Sequence, residues 1–318
     1  MSFSSSVKDE LCREVPEELN IMKAELAGML AMTVRVRIDE DDLMALTVST
    51  EHPGTARKCF TLMKKTYNIG GVISAAKSAY LKQKRLYTIS VRDDPAARNI
   101  LTDSEILDSS GEIGNILPIN DDPILSGEES RRAYLRGAFL ASGSISDPEK
   151  SYHLEIVCSA LSRAQQLRDL IRSFGPDARI SERKKSYIVY LKGSEDIVDM
   201  LGIMGASLSF MELENVRIMK DVRNNINRKV NFETANINKT VSASVRQSED
   251  IEFIRNTSGL DVLPPLLREM AVLRSEYPDA TLAELGELAD PPVGKSGVNH
   301  RLRKISEMAQ KHREKNNI

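Results

Sequence analysis

The order of apolar and polar positions along the chain occurs twice. Around Glu25-Leu26-Ala27-Gly28-Met29-Leu30-Ala31 the sequence reads as a helix, followed by strand-like runs at residues 32–38 and 43–49. A helix opening at Pro53 then places Ala56, Cys59, Phe60 and Met63 on one face, the i, i+3, i+4, i+7 spacing of a packed helix. Strands near 71–78 and 85–91 and a short helix near 94–101 complete the first set. The second set starts at Tyr134-Leu135-Arg136-Gly137-Ala138-Phe139-Leu140-Ala141, which shares the Leu-x-Gly core. It continues with a short strand near 144–146, a strand at 152–158, a helix at 162–174, a hairpin of 178–183 with 187–192, and a helix opening at Ser194. Each set predicts α-β-β-α-β-β-α, and two copies in one chain predict a pseudo-twofold α+β domain.

Two glycines sharpen that expectation. Gly28 and Gly137 interrupt helical patterns, where each is less favourable than Ala by about 1 kcal/mol. A glycine in such a place usually admits another backbone. The expectation is that the two repeats dock through these helices with Gly28 facing Gly137, so that Gly137→Leu over-packs the interface by about 1–3 kcal/mol. Unrelated helix glycines are the plainer alternative.

The turn-rich run from Pro118 to Gly127 reads as the connection between repeats. Residues 208–230 are helical by period. Asn227, Asn231, Asn236 and Asn238, with Thr234 and Thr240, are residues that cap and turn chains, and that also bond phosphates. This stretch is either a solvated connector or a basic hinge along a polyanion. In the tail, Pro264-Pro265 opens a helix through Arg274, and Thr281 with Glu284 forms a capping box for a second. That helix stops at Asp290-Pro291-Pro292, and Ser296 caps a third, along which Val298, Leu302, Ile305 and Ala309 make an apolar stripe. The other side carries Asn299, His300, Arg303 and Glu307, flanked by Arg301 and Lys304. A short helix, a turn and a helix with a polar, basic outer face is the pattern of a helix-turn-helix, starting at Thr281 and ending at Gln310. Arg303 and Asn299 suit guanine and adenine edges, and Lys295, Ser296, Arg301 and Lys304 suit phosphates.

Composition narrows the classes. The chain has 318 residues, a hydrophobic fraction of 41% and a charged fraction of 28%, as in globular proteins. No apolar run is long enough for a membrane span, and the N-terminus lacks a signal-peptide stretch, so the expectation is a cytoplasmic, nucleoid-associated protein. Cys12, Cys59 and Cys158 are scattered, which argues against a disulfide framework or a zinc site. His52, His153, His300 and His312 lack metal-ligand spacing, and Val293-Gly294-Lys295-Ser296 lacks the rest of a phosphate loop. The net charge of −2 hides an uneven distribution. Residues 293–315 hold seven Lys or Arg against two acids, and residues 214–246 seven against three, which points to a polyanion partner in the last third. Lys82, Lys84, Arg85, Arg179, Arg183, Lys184 and Lys185, with Arg223 and Arg228, offer a second surface for phosphates, or else solvated hairpins.

The runs Leu26-Ala27-Gly28-Met29-Leu30-Ala31-Met32-Thr33 and Leu135-Arg136-Gly137-Ala138-Phe139-Leu140-Ala141-Ser142 resemble two degenerate LAGLIDADG motifs of homing endonucleases. In those enzymes the resemblance implies motif helices at a central interface, strands lying over DNA, and an acidic metal ligand at the eighth position of each motif. Here the eighth positions are Thr33 and Ser142 and the sixth are Ala31 and Leu140. Hydrolytic metals need hard, chiefly carboxylate, ligands. The nearest substitutes are Asp147, beyond the helix end, and in the first copy only the acidic loop Asp39–Asp42, so the scaffold reads as retained and the nuclease chemistry as lost, with no catalytic residue, no metal and no cofactor. Over its whole length the chain is similar to the WhiA family of bacterial DNA-binding regulators. The similarity rests on Phe3-Ser4-Ser5-Ser6-Val7-Lys8-Asp9-Glu10-Leu11, Ser146-Asp147-Pro148-Glu149-Lys150-Ser151-Tyr152-His153-Leu154-Glu155 and the runs at 224–240 and 295–303. This implies a degenerate homing-endonuclease domain joined to a C-terminal helix-turn-helix, and a non-enzymatic role in cell division, chromosome segregation and sporulation.

The expected layout is an N-terminal segment at 1–19, the pseudo-twofold domain at 20–206 (repeats 20–117 and 127–206), a helical, Asn-rich linker at 207–249 and the helix-turn-helix domain at 250–318. The expected partner is double-stranded DNA, with a co-regulator protein as a second partner and no small-molecule substrate. Three functions remain open from sequence: a DNA-binding transcription regulator, an endonuclease with rearranged metal ligands, and a partner-binding scaffold tethered to DNA by its tail.

Overall fold

A computed structural model describes residues 2–38, 43–69, 72–77, 85–92, 94–108 and 116–315. They form two compact units, Met1–Lys220 and Asp221–Ile318.

The first unit contains the two repeats. In the first, α2 (Leu19–Thr33) leads into β1 (Val34–Ile38) and β2 (Met44–Thr50), then α3 (Pro53–Tyr67), β3 (Val72–Lys77), β4 (Arg85–Val91) and α4 (Asp94–Asp103). In the second, α5 (Glu128–Ser142) leads into β5 (Gly143–Ile145) and β6 (Leu154–Cys158), then α6 (Leu161–Arg172), β7 (Arg179–Arg183), β8 (Ser186–Leu191) and α7 (Ser194–Met204). Both four-stranded sheets are antiparallel and share one order, β1-β2-β4-β3 and β5-β6-β8-β7. The expected α-β-β-α-β-β-α order is borne out in each copy. The first strand starts at Val34 rather than Met32, because α2 keeps its helical hydrogen bonds through the Val34 amide to Leu30.

Strand alternation explains which side of each sheet packs. On β2, Met44, Leu46, Val48 and Thr50 are buried while Ala45, Thr47 and Ser49 are half-buried on the open face. On β6, Leu154, Ile156 and Cys158 are buried and Glu155 and Val157 lie on the open side. The helices of both repeats cover the buried faces, and one core cluster runs through both, from Leu26 and Leu46 to Phe139 and Ile156.

The repeats meet along α2 and α5. Gly28 and Gly137 both lie in this contact, each against the backbone of the other helix. A Cβ on Gly28 would overlap the Tyr134 carbonyl oxygen and come within 3.1 Å of the Ala138 amide nitrogen. A Cβ on Gly137 would overlap the Glu25 carbonyl oxygen and come within 3.1 Å of the Met29 amide nitrogen. Each glycine thus packs on the backbone three residues before the other, the exchange a pseudo-twofold axis requires. Beside this contact, the fully buried Glu25 carboxylate meets Lys58 Nζ at 2.5 Å and Arg136 Nη2 at 3.2 Å. Burial pushes the Lys58 ammonium's pKa down, and the Glu25 carboxylate works against that shift. Lys58 also donates to the Leu11 carbonyl at 2.7 Å and Arg136 to the Met204 carbonyl at 3.2 Å. One carboxylate therefore ties together α2, α3 and α5.

The N-terminal helix α1 (Phe3–Leu11) belongs to this unit. It buries Phe3, Val7 and Leu11. Its Glu10 carboxylate accepts from the Leu208 amide at 2.6 Å and the Ser209 amide at 2.9 Å. These are orphan donors in the first turn of α8 (Ser207–Thr257), where a negative charge is favoured.

The Asn-rich stretch of the expected helical linker, whose residues can also cap and turn chains, is part of α8, which spans 51 residues. The physical reason is the absence of a breaker: no Gly or Pro occurs between Ser207 and Thr257. Asn lowers helix propensity by only a fraction of a kcal/mol, about 0.7 at most. The second unit contains the end of α8 with α9 (Pro265–Glu276), α10 (Leu282–Leu288) and α11 (Lys295–Lys315). Its core is Ile251, Ile254, Leu263, Leu267, Met270, Ala271, Leu285, Val298, Leu302, Ile305 and Ala309.

Candidate nucleic-acid interface

The strongest candidate is the outer side of α11. Its stripe of Val298, Leu302, Ile305 and Ala309 is at most 1% exposed, which fixes the rotation of the helix. Asn299, His300, Arg303 and Lys304 consequently face outward and are exposed. Arg303 makes an i, i+4 pair with Glu307 at 3.4 Å, but both side chains are more than half exposed. Such a pair is worth well under about 1 kcal/mol and leaves the guanidinium available.

Two tail residues stand differently from their sequence-based roles. Arg301, expected to touch phosphate, turns inward. Its Nη1 reaches Glu269 on α9 at 3.3 Å with a side chain only 15% exposed, and the same carboxylate accepts from the Asp290 amide at 2.7 Å. Arg301 thereby braces the turn between α10 and α11. Ser296 is not the cap of α11. The Gly297 and Val298 amides donate to the Gly294 carbonyl, so the helix begins one residue before Ser296, at Lys295. Lys295 and Ser296 are exposed in that first turn.

The helix before it starts at a capping box. The Glu284 amide donates to Thr281 Oγ1 at 3.3 Å, and the Thr281 amide donates to Glu284 Oε2 at 2.7 Å. The accepted amide holds the Glu284 carboxyl below its ordinary range. Thr281→Ala is expected to lower the unfolding free energy by about 1 kcal/mol, measured by urea denaturation. A close approach the sequence did not reveal lies at Gly286, where a Cβ would overlap the Val293 carbonyl oxygen and α10 meets the turn.

The second surface expected from sequence divides. Arg179 and Arg183 lie on the open face of the second sheet, opposite Tyr190 and Ser186 in register. Arg179 is held by Asp177 through bonds of 2.8 and 3.1 Å. Lys184 and Lys185 are exposed in the β7–β8 turn, and Arg223 and Arg228 are exposed on α8. Arg85 is exposed at the start of β4, where strand alternation puts it on the side of Ile89 and Val91 rather than on the open face. Lys82 and Lys84 lie outside the described residues. The open face of the first sheet instead presents Arg35 and Arg37, paired with Thr47 and Ala45. Their alternation with Val34, Val36 and Ile38 is the sequence signal that marks this face.

At the motif positions, α2 ends at Thr33 and α5 ends at Ser142. The Thr33 hydroxyl donates to the Met29 carbonyl at 2.9 Å, and Ser142 Oγ is buried without a partner among the described residues. Ala31 and Leu140 carry no ligand atom on their side chains, and the Leu140 carbonyl accepts from Lys8 Nζ at 3.2 Å. Asp147 accepts from the Glu149 amide at 3.0 Å within its own turn. Among the described residues, no three His, Cys, Asp or Glu side chains gather in a way that could hold a metal ion. The two motif ends thus carry hydroxyls where a hydrolytic metal site needs carboxylates, and the acidic loop at 39–42 lies outside the described residues. Among the described residues no helix is long and apolar enough to cross a membrane.

Comparison with known proteins places these units in one family. Residues 20–107 match the WhiA N-terminal LAGLIDADG-like domain, residues 131–223 the WhiA LAGLIDADG-like domain and residues 226–309 the WhiA C-terminal HTH domain. A probable cell division protein WhiA from Clostridium botulinum (strain Eklund 17B / Type B) is 45% identical over 98% of this chain and 99% of its own. Another, from Thermoanaerobacter pseudethanolicus, is 46% identical over 99% of each. The crystal structure of full-length DUF199/WhiA from Thermatoga maritima is similar with a TM-score of 0.60 and 25% identity, covering 98% of this chain and 99% of that one. With an α+β unit of two LAGLIDADG-like repeats and an all-α helix-turn-helix unit, the chain belongs to the WhiA family.

Proposed function

We propose that this protein is a non-catalytic, sequence-specific DNA-binding regulator of transcription acting on cell division, and that α11 is its recognition helix. The single observation that carries the reading is the fixed rotation of α11. Its stripe is buried in the core of the tail unit, so Asn299, His300 and Arg303 project outward within one turn. That spacing suits adjacent base edges in a major groove. Lys295, Ser296 and Lys304 flank them toward phosphates, and Arg301 serves by bracing the turn. The role in cell division rests on the names its relatives carry.

The experiment is competition binding on DNA selected by the full chain from a random pool. Arg303→Ala is expected to weaken the selected site by about 1–3 kcal/mol and to relax its sequence preference. Lys304→Ala is expected to weaken all duplexes alike and to lower the salt slope by about one unit. Unchanged preference in Arg303→Ala would overturn the assignment of this face. The open faces of the two sheets, with Arg35, Arg37 and Arg183, support a second reading in which the larger unit adds non-specific phosphate contacts. A co-regulator protein and association with the nucleoid belong to the same proposal.

A further inference from the structure

The middle of α8 is rich in cations, three of which share one face. From Val222 to Ser248 it carries five Lys or Arg, six Asn and a single acid, Glu233. At about 100° per residue, Arg228, Lys239 and Arg246 fall within about 20° of one another, whereas Glu233 lies about 120–140° away. All three cations are exposed and make no ion pair with an acid among the described residues. Arg228 Nε only leans back to the Asn224 carbonyl at 3.4 Å. A helix that is merely solvated usually mixes its signs through i, i+4 pairs. Asn is also a poor choice for an exposed helix surface unless its amide is wanted. Within the second unit this face borders the outer side of α11. Lys239, Ser242 and Arg246 line, with Asn299 and Arg303, a groove of about 560 Å³ whose lining residues include no Asp or Glu.

We propose that this face of α8 is the second wall of a DNA-binding cleft. With α11 in the major groove, Lys239 and Arg246 neutralise phosphates of the bordering strand of double-stranded DNA. Asn238 and Ser242 donate hydrogen bonds to its oxygens, and Arg228 continues the contact along the helix. Arg228 to Arg246 spans about 27 Å of helix, about eight base pairs of duplex. The inference rests on the reading of α11 as the recognition helix and adds the residues that hold the backbone beside it.

The test uses the full chain, a duplex it selects from a random pool, and an unrelated duplex of equal length, between 50 and 200 mM salt. Lys239→Gln with Arg246→Gln is expected to lower the slope of log K against log salt by about 1.8, and adding Arg228→Gln by about 2.7. Both duplexes should lose affinity in the same proportion, leaving the specificity ratio within about twofold. Gln keeps helix propensity and these positions are exposed, so circular dichroism should be unchanged. Lys239→Arg with Arg246→Lys should retain the slope. An unchanged slope in the triple variant overturns the second wall. Arg303→Ala is measured alongside. If it relaxes specificity while the Gln variants do nothing, this inference alone fails. If it leaves specificity intact while the Gln variants flatten the slope, the α8 contact stands and the assignment of α11 fails.

Discussion

Gly137→Ala is expected to destabilise the first unit by about 3 kcal/mol, from the addition of one methyl group. In a typical helix the same change is favourable, by about 0.5–1 kcal/mol. Here the new Cβ would overlap the Glu25 carbonyl oxygen, with its carbon at 3.0 Å and the Met29 nitrogen at 3.1 Å. Those atoms belong to the backbone of α2 and cannot rotate away as a side chain would, so the two central helices must separate. Gly28→Ala should behave alike, because it presses on Tyr134 and Ala138 of α5 in the same manner. Gly202→Ala is the internal control. Its Cβ would meet only the Phe210 ring at 3.8 Å, so stability should hold or rise by up to about 1 kcal/mol. Urea denaturation of the three variants decides the matter. Equal stability for Gly137→Ala and Gly202→Ala would mean that the repeats do not meet through this contact.

The second large effect is expected at Glu25. Glu25→Ala removes the carboxylate from between Lys58 and Arg136 and leaves the Lys58 ammonium, 1% exposed, without a counter-charge. Breaking a buried pair by deleting one partner destabilises by about 3–5 kcal/mol. Replacing Glu25 by Leu together with Lys58 by Met should recover part of that loss, because the fully buried ammonium goes with its partner while Arg136, 19% exposed, keeps its bond to the Met204 carbonyl. The two single changes should therefore be strongly non-additive. A double variant as unstable as the sum of the single ones would show that the buried pair does not couple α2 to α3.

These two effects also mark the boundary of what sequence could reveal. Gly28 and Gly137 stood out because glycine is anomalous inside a helical pattern. The pattern could not say that each lies over the other helix three residues away. Glu25 and Lys58 gave no signal, since an acid and a base on different helices look like ordinary solvated charges until the chain buries them together. The tail was more legible. Its capping box and the stripe of Val298, Leu302, Ile305 and Ala309 are local, and both stand in the structure as their spacing implied.

What the sequence by itself determined is therefore what local periodicity encodes: the doubled α-β-β-α-β-β-α order, the face of α11 that must be buried, and the absence of acids at Thr33 and Ser142. Period and propensity act within a few residues, so they settle which side chains share a face. Only the tertiary structure decided what each face meets. It turned Arg301 toward Glu269, set Arg85 on the side of Ile89 and Val91 while Arg35 and Arg37 took the open face, and brought Lys239 and Arg246 beside Asn299 and Arg303. The reason is physical: the burial of a charge and the partner of a helix face depend on residues distant in sequence, and no local spacing carries that information.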